Sequence, residues 1–379
     1  MRFTGPRALI DLGALQHNLG VVRRQAPASR IWAIIKADAY GHGLERAAAA
    51  LTEADGFAVA RVEEALRLRT ARVTKPILVL TGALSREETA AALEHQLDLT
   101  LHQAEQVTWL EALPPCPPLR VWIKVDTGMH RLGFDPFEVP AIQSRLAACP
   151  QVAPLPGLMT HLANADNPED PLTDRQCLRL RALARPDQAL NIGNSGGLLA
   201  FPAARTAWVR PGIMLYGGSP FSCLSAEECG LEPVMTLMTQ ISAVHHFHAG
   251  DRIGYGGTFS CPEDMPVGVA AIGYGDGYPR HAPTGTPVLV GGRRVALIGR
   301  VSMDSISLDL RQAPGTQPGD EVILWGRGLP VEEIAQNAGT INYELLCGLS
   351  ARVHRASMPI PQSLSIKSRE NHNQREERQ

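Results

Sequence analysis

Short apolar runs recur along the first part of the chain, at residues 31–35, 56–60, 76–80, 98–101, 119–125, 155–160, 189–193 and 207–210. Amphipathic stretches such as 44–51, with its alanine-rich face, 62–68 and 87–93 separate them. Unbroken apolar runs of this length predict strands buried on both faces, and the intervening period predicts helices. Eight strand–helix units predict a (β/α)8 barrel. The strand order is not visible in the sequence, so an open doubly wound sheet is the alternative.

After about residue 230 the pattern changes. The runs 237–246, 267–272, 288–290, 294–297, 306–308 and 321–324 are short and separated by Gly-Gly, Pro and Asp turns. Helical patterning persists only at 331–338. The expected fold class is therefore α/β: a (β/α)8 barrel followed by a mostly β-strand C-terminal domain. The expected division is 1–225 for the barrel, 226–365 for the β-domain and 366–379 for a disordered polar tail, with the boundary near 219–233.

Composition narrows the function. The 36 basic and 38 acidic residues nearly cancel, which argues against a nucleic-acid partner. No uninterrupted apolar stretch of about 18 residues is present, so no membrane span is expected. Seven cysteines (Cys116, Cys149, Cys177, Cys223, Cys229, Cys261 and Cys347) include no C-x-x-C pair. A disulfide framework and a zinc site are both disfavoured, and a reduced, cytoplasmic thiol set is expected. Only four of the basic residues are lysines: Lys36, Lys75, Lys124 and Lys367. Lysine, unlike arginine, can lose its proton and act as a nucleophile or base.

Lys36 closes the first barrel run in Ile34-Ile35-Lys36-Ala37-Asp38-Ala39-Tyr40-Gly41-His42-Gly43. Active sites of such barrels lie at the carboxyl ends of the strands. Burial beside Ile34 and Ile35 favours a neutral amine able to form a Schiff base, while pairing with Asp38 is the plainer alternative. Asn194-Ser195-Gly196-Gly197 follows the seventh run and Gly212-Ile213 the eighth, the usual phosphate place in these barrels.

The segment 33–43 resembles the pyridoxal-phosphate lysine motif of alanine racemases, a family of fold-type III pyridoxal-phosphate enzymes, with Lys36 as the cofactor lysine. Similar motifs follow in order: Lys124-Val125-Asp126-Thr127-Gly128-Met129-His130-Arg131, Thr160-His161 to Asp166, Asn194-Ser195-Gly196 and Val209-Arg210-Pro211-Gly212-Ile213. Gly254-Tyr255-Gly256-Gly257-Thr258, Gly273-Tyr274-Gly275-Asp276-Gly277, Gly299-Arg300 to Met303-Asp304 and Asn342-Tyr343-Glu344 complete the series. The resemblance spans about residues 7 to 360.

The resemblance implies interconversion of L- and D-alanine by an isomerase whose cofactor is pyridoxal 5'-phosphate. Lys36 and Tyr255 are the implied catalytic pair, Lys36 on the D face and Tyr255, from the other subunit of a homodimer, on the L face. A free phenol titrates near ~10, so a base role needs a polarising network, and His161 is the implied partner, oriented by Arg210. Tyr40, Asn194, Ser195, Gly212, Ile213 and Tyr343 are implied around the phosphate. Arg210 faces the ring nitrogen; an arginine cannot accept a further proton, which weakens the electron sink and favours exchange at Cα over transamination. Arg131 and the Met303 backbone N–H are implied at the substrate carboxylate, and Lys124, often carbamylated in the family, at Arg131. Tyr274, Arg280, Arg300, Asp166 and Ile341 match the substrate corridor. His130 departs from the family, which often has a small residue there.

Three other readings compete. A non-catalytic pyridoxal-phosphate carrier on the same barrel would lack the β-domain. A related decarboxylase of basic amino acids needs a carboxylate where Arg210 stands. A metal-dependent barrel hydrolase needs clustered His and Asp ligands, which only His161 and Asp166 approach, so no metal is expected. The role expected for the enzyme is supply of D-alanine for peptidoglycan or its catabolism.

Overall fold

The computed structural model describes residues 5–114 and 117–358. Cys116 and the expected tail at 366–379 lie outside the described residues. The chain divides into two compact units: Gln16–Leu215 with Ser219–Gly230, and a second built from residues 5–15, Tyr216–Gly218 and 231–358.

Strand β1 (Arg7–Asp11) belongs to the second unit. The first unit then runs through β2 (Arg30–Ile34), β3 (Gly56–Val59), β4 (Ile77–Val79), β5 (Asp98–Leu101), β6 (Val121–Lys124), β7 (Gly157–Met159), β8 (Leu190–Asn191) and β9 (Trp208–Val209). These pair in parallel in sequence order, and β9 returns to β2, closing the barrel. Each apolar run of the sequence became one of these strands. Helices including Leu44–Ala50, Val62–Thr70, Arg86–Glu94 and Leu172–Ala182 connect them.

Tryptophans fill part of the barrel interior. Trp32 on β2 stacks on Trp208 of β9 at 4.3 Å between ring centroids, and Trp122 of β6 meets Trp208 edge-on at 6.2 Å. Because β6 and β9 are not neighbours, the second contact crosses the interior. Glycines opposite the rings make the room. A Cβ on Gly56 would lie 2.3 Å from Trp32, and one on Gly157 2.4 Å from Trp122.

The second unit contains β10 (Met235–Phe247), β11 (Arg252–Ile253), β12 (Phe259–Ser260), β13 (Met265–Ala270), β14 (Pro287–Val290), β15 (Arg293–Ile298), β16 (Ile306–Asp309), β17 (Glu321–Trp325) and β18 (His354–Met358). Its main sheet follows the order β13-β16-β15-β14-β17-β10-β1-β18, and β13 also pairs with β10. The long β10 thus belongs to both ends of a closed ring, bent by a register shift between Ile241 and Ala243. The expected division at residue 225 differs from this one at the N-terminus. Leu9 pairs antiparallel with Thr236 and parallel with Ala356, so β1 is a member of the second sheet rather than of the barrel domain. Its alternating exposure is that of a strand with one face on a core.

Candidate active site

The carboxyl ends of the barrel strands carry most of the polar residues that the sequence singled out. After β2 the chain does something unusual. Ala37, Asp38, Ala39 and Tyr40 all have φ between 52° and 54°, a left-handed helical turn made without glycine, which then closes on Gly41 at φ 79°. Each such residue costs roughly 1–2 kcal/mol, so surrounding contacts must hold the turn. They are present. The Asp38 carboxylate accepts from the Leu44 N–H at 3.0 Å, the His42 Nδ1 lies 2.9 Å from the Ala39 and Tyr40 carbonyls, and Glu64 accepts from the Ala37 N–H at 2.7 Å. Lys36 opens this turn and the buried Tyr40 ends it.

The reversed turn brings the Tyr40 hydroxyl against Gly212, where a Cβ would stand 2.6 Å from it. The Gly212 and Met214 N–H groups donate to Ser195 Oγ at 2.9 and 3.4 Å. Tyr40, Ser195 and Gly212 therefore converge, with Ile213 buried beside them. Asn194 uses its Oδ1 to accept the Gly197 N–H at 2.9 Å, capping the helix Ser195–Ala200.

Arg210 is almost wholly buried. Its terminal nitrogens donate to Asn191 Oδ1 and O, to Thr160 O and to Ile192 O. Burial pulls its pKa down to about 10, which still leaves it cationic. The Nε–H has no acceptor among the described residues. No hydrogen bond joins the Arg210 guanidinium to the His161 ring among the described residues. The two groups nevertheless interact electrostatically: desolvation, then Arg210, Lys124, Arg131 and Lys36, hold His161 well below its ordinary pKa and hence neutral. Gln176, fully buried, accepts from the Ala163 N–H and donates to the His161 carbonyl at 3.0 Å, fixing that strand end.

Lys124, 8% exposed, has no carboxylate within ion-pair distance among the described residues. Desolvation first, then Arg210, Arg131 and Lys36, bring it down to about 8. Asp126, its sequence neighbour, is occupied. One carboxylate oxygen accepts from the Gly128, Met129 and His130 N–H groups and the other meets His130 Nδ1 at 3.2 Å. His130, in the left-handed region at φ 54°, thus closes the loop that carries the exposed Arg131. Asp166 lies exposed in the turn after β7, away from any ion pair.

The remaining residues lie in the second unit. Tyr255 is 68% exposed on a loop with Gly254, Gly256 and Gly257 at positive φ. A Cβ on Gly256 would lie 3.5 Å from the Arg300 guanidinium, so Tyr255 and Arg300 are neighbours. Tyr274 and Met303 are also joined: the Tyr274 N–H donates to Ser302 O at 3.0 Å and the Gly275 N–H to Met303 O at 2.8 Å. Arg352 bridges Asp276 and Asp304 beneath them. Ile341, well exposed, precedes the helix Asn342–Cys347 that carries the half-buried Tyr343, and Arg280 stands in an exposed turn.

Both units match one family. The family model for "Alanine racemase, N-terminal domain" matches residues 10–220 and that for "Alanine racemase, C-terminal domain" matches 234–357. The chain belongs to the alanine racemase family. An alanine racemase of Nitrosococcus oceani is 53% identical over 350 residues, 92% of this chain and 98% of that relative. One of Thioalkalivibrio sulfidiphilus is 52% identical over 351 residues, 92% of this chain and 97% of its own. The crystal structure of the biosynthetic alanine racemase from Pseudomonas aeruginosa superposes with a TM-score of 0.91 at 44% identity, covering 94% of this chain and 100% of that one. The enzyme is accordingly an isomerase that interconverts the enantiomers of alanine.

Alanine racemases generally depend on pyridoxal phosphate. The barrel site fits an anionic, ring-bearing group. Lys36, Lys124, Arg131 and Arg210 are near enough to depress one another or His161, and the Asp126 carboxylate beside Lys124 is turned into its own loop. The missing Cβ of Gly212 opens a small cradle beside two hydroxyls, and Arg210 retains an unmet donor. Sequence reasoning passed over three residues of this alanine racemase site: Asn191, Gln176 and Glu64. Asn191 had a signal, a fully polar side chain inside a buried apolar run. Gln176 and Glu64 looked like ordinary polar positions of amphipathic helices.

Proposed function

We propose that this alanine racemase works by two-base proton exchange at a pyridoxal-phosphate site shared across a homodimer. The observation that carries the reading is the gathering of the basic side chains Lys36, Lys124, Arg131 and Arg210 with a glycine–hydroxyl cradle at one end of the barrel. Pyridoxal phosphate, when bound, supplies an electron-withdrawing ring that acidifies the substrate Cα–H. Lys36 would hold it, Tyr40, Ser195, Gly212, Ile213, Asn194 and Tyr343 would receive its phosphate, and Arg210, whose terminal nitrogens are already engaged, would offer its remaining Nε–H to the ring.

The Lys36 amine moves the α-proton on the D face of the substrate and the partner subunit's Tyr255 moves it on the L face. A neutral His161 accepts from or donates to that phenol without the cost of a buried second cation. Arg131 and the Met303 N–H bind the substrate carboxylate, and Lys124, as its carbamate, holds Arg131. Tyr274, Arg280, Arg300, Asp166 and Ile341 line the approach. The high exposure of Tyr255, Met303 and Ile341 on the second unit supports a partner that covers them. A cytoplasmic setting is the one proposed. D-Alanine supply for peptidoglycan, or D-alanine catabolism, is the role proposed.

The test is α-proton exchange into deuterated water, started from each alanine enantiomer. In Tyr255→Phe, loss of the L-alanine proton should slow far more than loss of the D-alanine proton, and Lys36→Ala should show no borohydride-fixed cofactor at all. Equal slowing from both enantiomers refutes the two-base assignment.

A further inference from the structure

We propose that Glu64 is a positioning residue for Lys36, its carboxylate holding the left-handed turn that sets the direction of the lysine side chain. The inference rests on reading Lys36 as the cofactor lysine. Glu64 stands in the first turn of the helix Val62–Thr70 and divides its two oxygens. Oε2 accepts from the Ala60 and Arg61 N–H groups at 2.8 and 3.2 Å, which is ordinary helix capping. Oε1 is not needed for the cap. It reaches across to the Ala37 N–H at 2.7 Å.

That amide shares its peptide plane with the Lys36 carbonyl, so holding it fixes the Lys36 ψ angle and the direction in which its side chain leaves the backbone. It is also the entry to four successive left-handed residues, a conformation that alanine, aspartate and tyrosine do not choose unaided. One helical turn beyond Glu64, Arg67 pairs with Asp38 at 3.4 Å and with Glu45 at 2.9 Å. The same helix therefore grips the lysine turn and the segment following it at two points. The Arg67 contacts are exposed ion pairs of small worth, whereas Glu64 contacts the backbone directly.

Glutamine in place of Glu64 separates capping from positioning. Three N–H donors converge on the carboxylate, and an amide offers only one oxygen. If that oxygen keeps the cap, the amide NH2 faces the Ala37 N–H, donor against donor, and the turn is pushed away. The holoenzyme of Glu64→Gln should keep its melting temperature within a few degrees. Its kcat should fall at least about tenfold, with KM for alanine within about twofold, because small displacements of a reacting group are costly. The fraction of Lys36 carrying borohydride-fixed cofactor should fall with kcat. Wild-type kcat and wild-type Lys36 labelling in this variant would overturn the proposal, as would a melting temperature that falls in step with activity. Hydrogen exchange on the wild-type holoenzyme gives a second arm that needs no variant. The Ala37 amide, though exposed, should be protected like the capped amides of Ala60 and Arg61, and fast exchange there overturns the proposal. Failure to find cofactor on wild-type Lys36 would sink the reading of the site instead, leaving the exchange result to judge the turn.

Discussion

At the scale of single residues, Lys124 shows how a site can prepare an amine for chemistry. Desolvation and three neighbouring cations lower it to about 8, and Asp126 gives no relief because its oxygens serve the 126–130 loop. A buried charge in that position is costly, and two outcomes remove the cost: loss of the proton, or capture of CO2 by the neutral amine with release of a proton, leaving an anion among cations. The second suits Arg131. Protein equilibrated with 13C-labelled bicarbonate should show a carbamate resonance that Lys124→Met lacks, stronger at pH near 8 than one unit lower. A wild-type spectrum without that resonance would leave Lys124 a plain amine. The sign of the linkage follows from the lowered value: the unfolded chain holds the Lys124 proton more tightly, so for the uncarbamylated amine stability rises with pH from about 8 towards the ordinary lysine range.

The residue scale is also where the sequence was least legible. Lys36, Lys124 and Arg210 could be singled out because a cation at the end of a buried run is conspicuous. The left-handed turn could not. Ala-Asp-Ala-Tyr has no local preference for positive φ, and what holds it comes from Glu64, twenty-seven positions on, whose side chain reads locally as the polar face of a helix. Asn194 illustrates the converse: its motif was visible, but its Oδ1 is used to cap a helix.

At the scale of elements, the barrel strands were legible because each is short, apolar and buried on both faces, so a run of hydrophobic residues and a strand coincide. Strands β1 and β18 were not. Arg7–Asp11 is followed at once by a helix and pairs with residues more than two hundred positions away. Asp98, at the start of β5, is an element whose local chemistry opposes its setting. Its carboxyl is buried and pushed up to about 6 by desolvation, despite Arg120 at 3.1 Å, and its Oδ2 finds no partner. Arg120 is half exposed and too well solvated to offset the burial. The native state therefore holds this proton more tightly than the unfolded chain. The contribution is fully present below pH about 4 and is lost as pH rises through about 6. Asp98→Asn should raise stability at pH 7 by ~1–3 kcal/mol, and by less at pH 5, in chemical denaturation. A loss of stability at pH 7 would show that the Arg120 pair outweighs the desolvation.

At the scale of the whole molecule, the question is why the proposed proton-transfer site on a barrel is attached to a β-unit whose candidate base is 68% exposed in a single chain. Racemisation needs proton carriers on opposite faces of one carbon, and a barrel's strand ends approach a bound substrate from one side. A second chain related by a two-fold axis can approach from the other, and symmetry then makes two equivalent mixed sites. The arrangement has an arithmetic consequence. Under the proposed two-base mechanism, a Lys36→Ala dimer would lack the carrier on one face at both sites, and a Tyr255→Phe dimer would lack the carrier on the other. When the two variants are unfolded or dissociated together and allowed to reassociate, half of the dimers are mixed. In each mixed dimer one site would combine Lys36 of the Tyr255→Phe chain with Tyr255 of the Lys36→Ala chain, while the other site would have neither. Specific activity should therefore recover to about a quarter of wild type, set by random pairing across the two-fold interface. If both carriers came from the same chain, every site in the mixture would still lack one of them, and activity would stay at the level of the separate variants. Varying the ratio of the two variants at fixed total protein should give a maximum at equal amounts, a dependence that contamination by wild-type enzyme cannot reproduce.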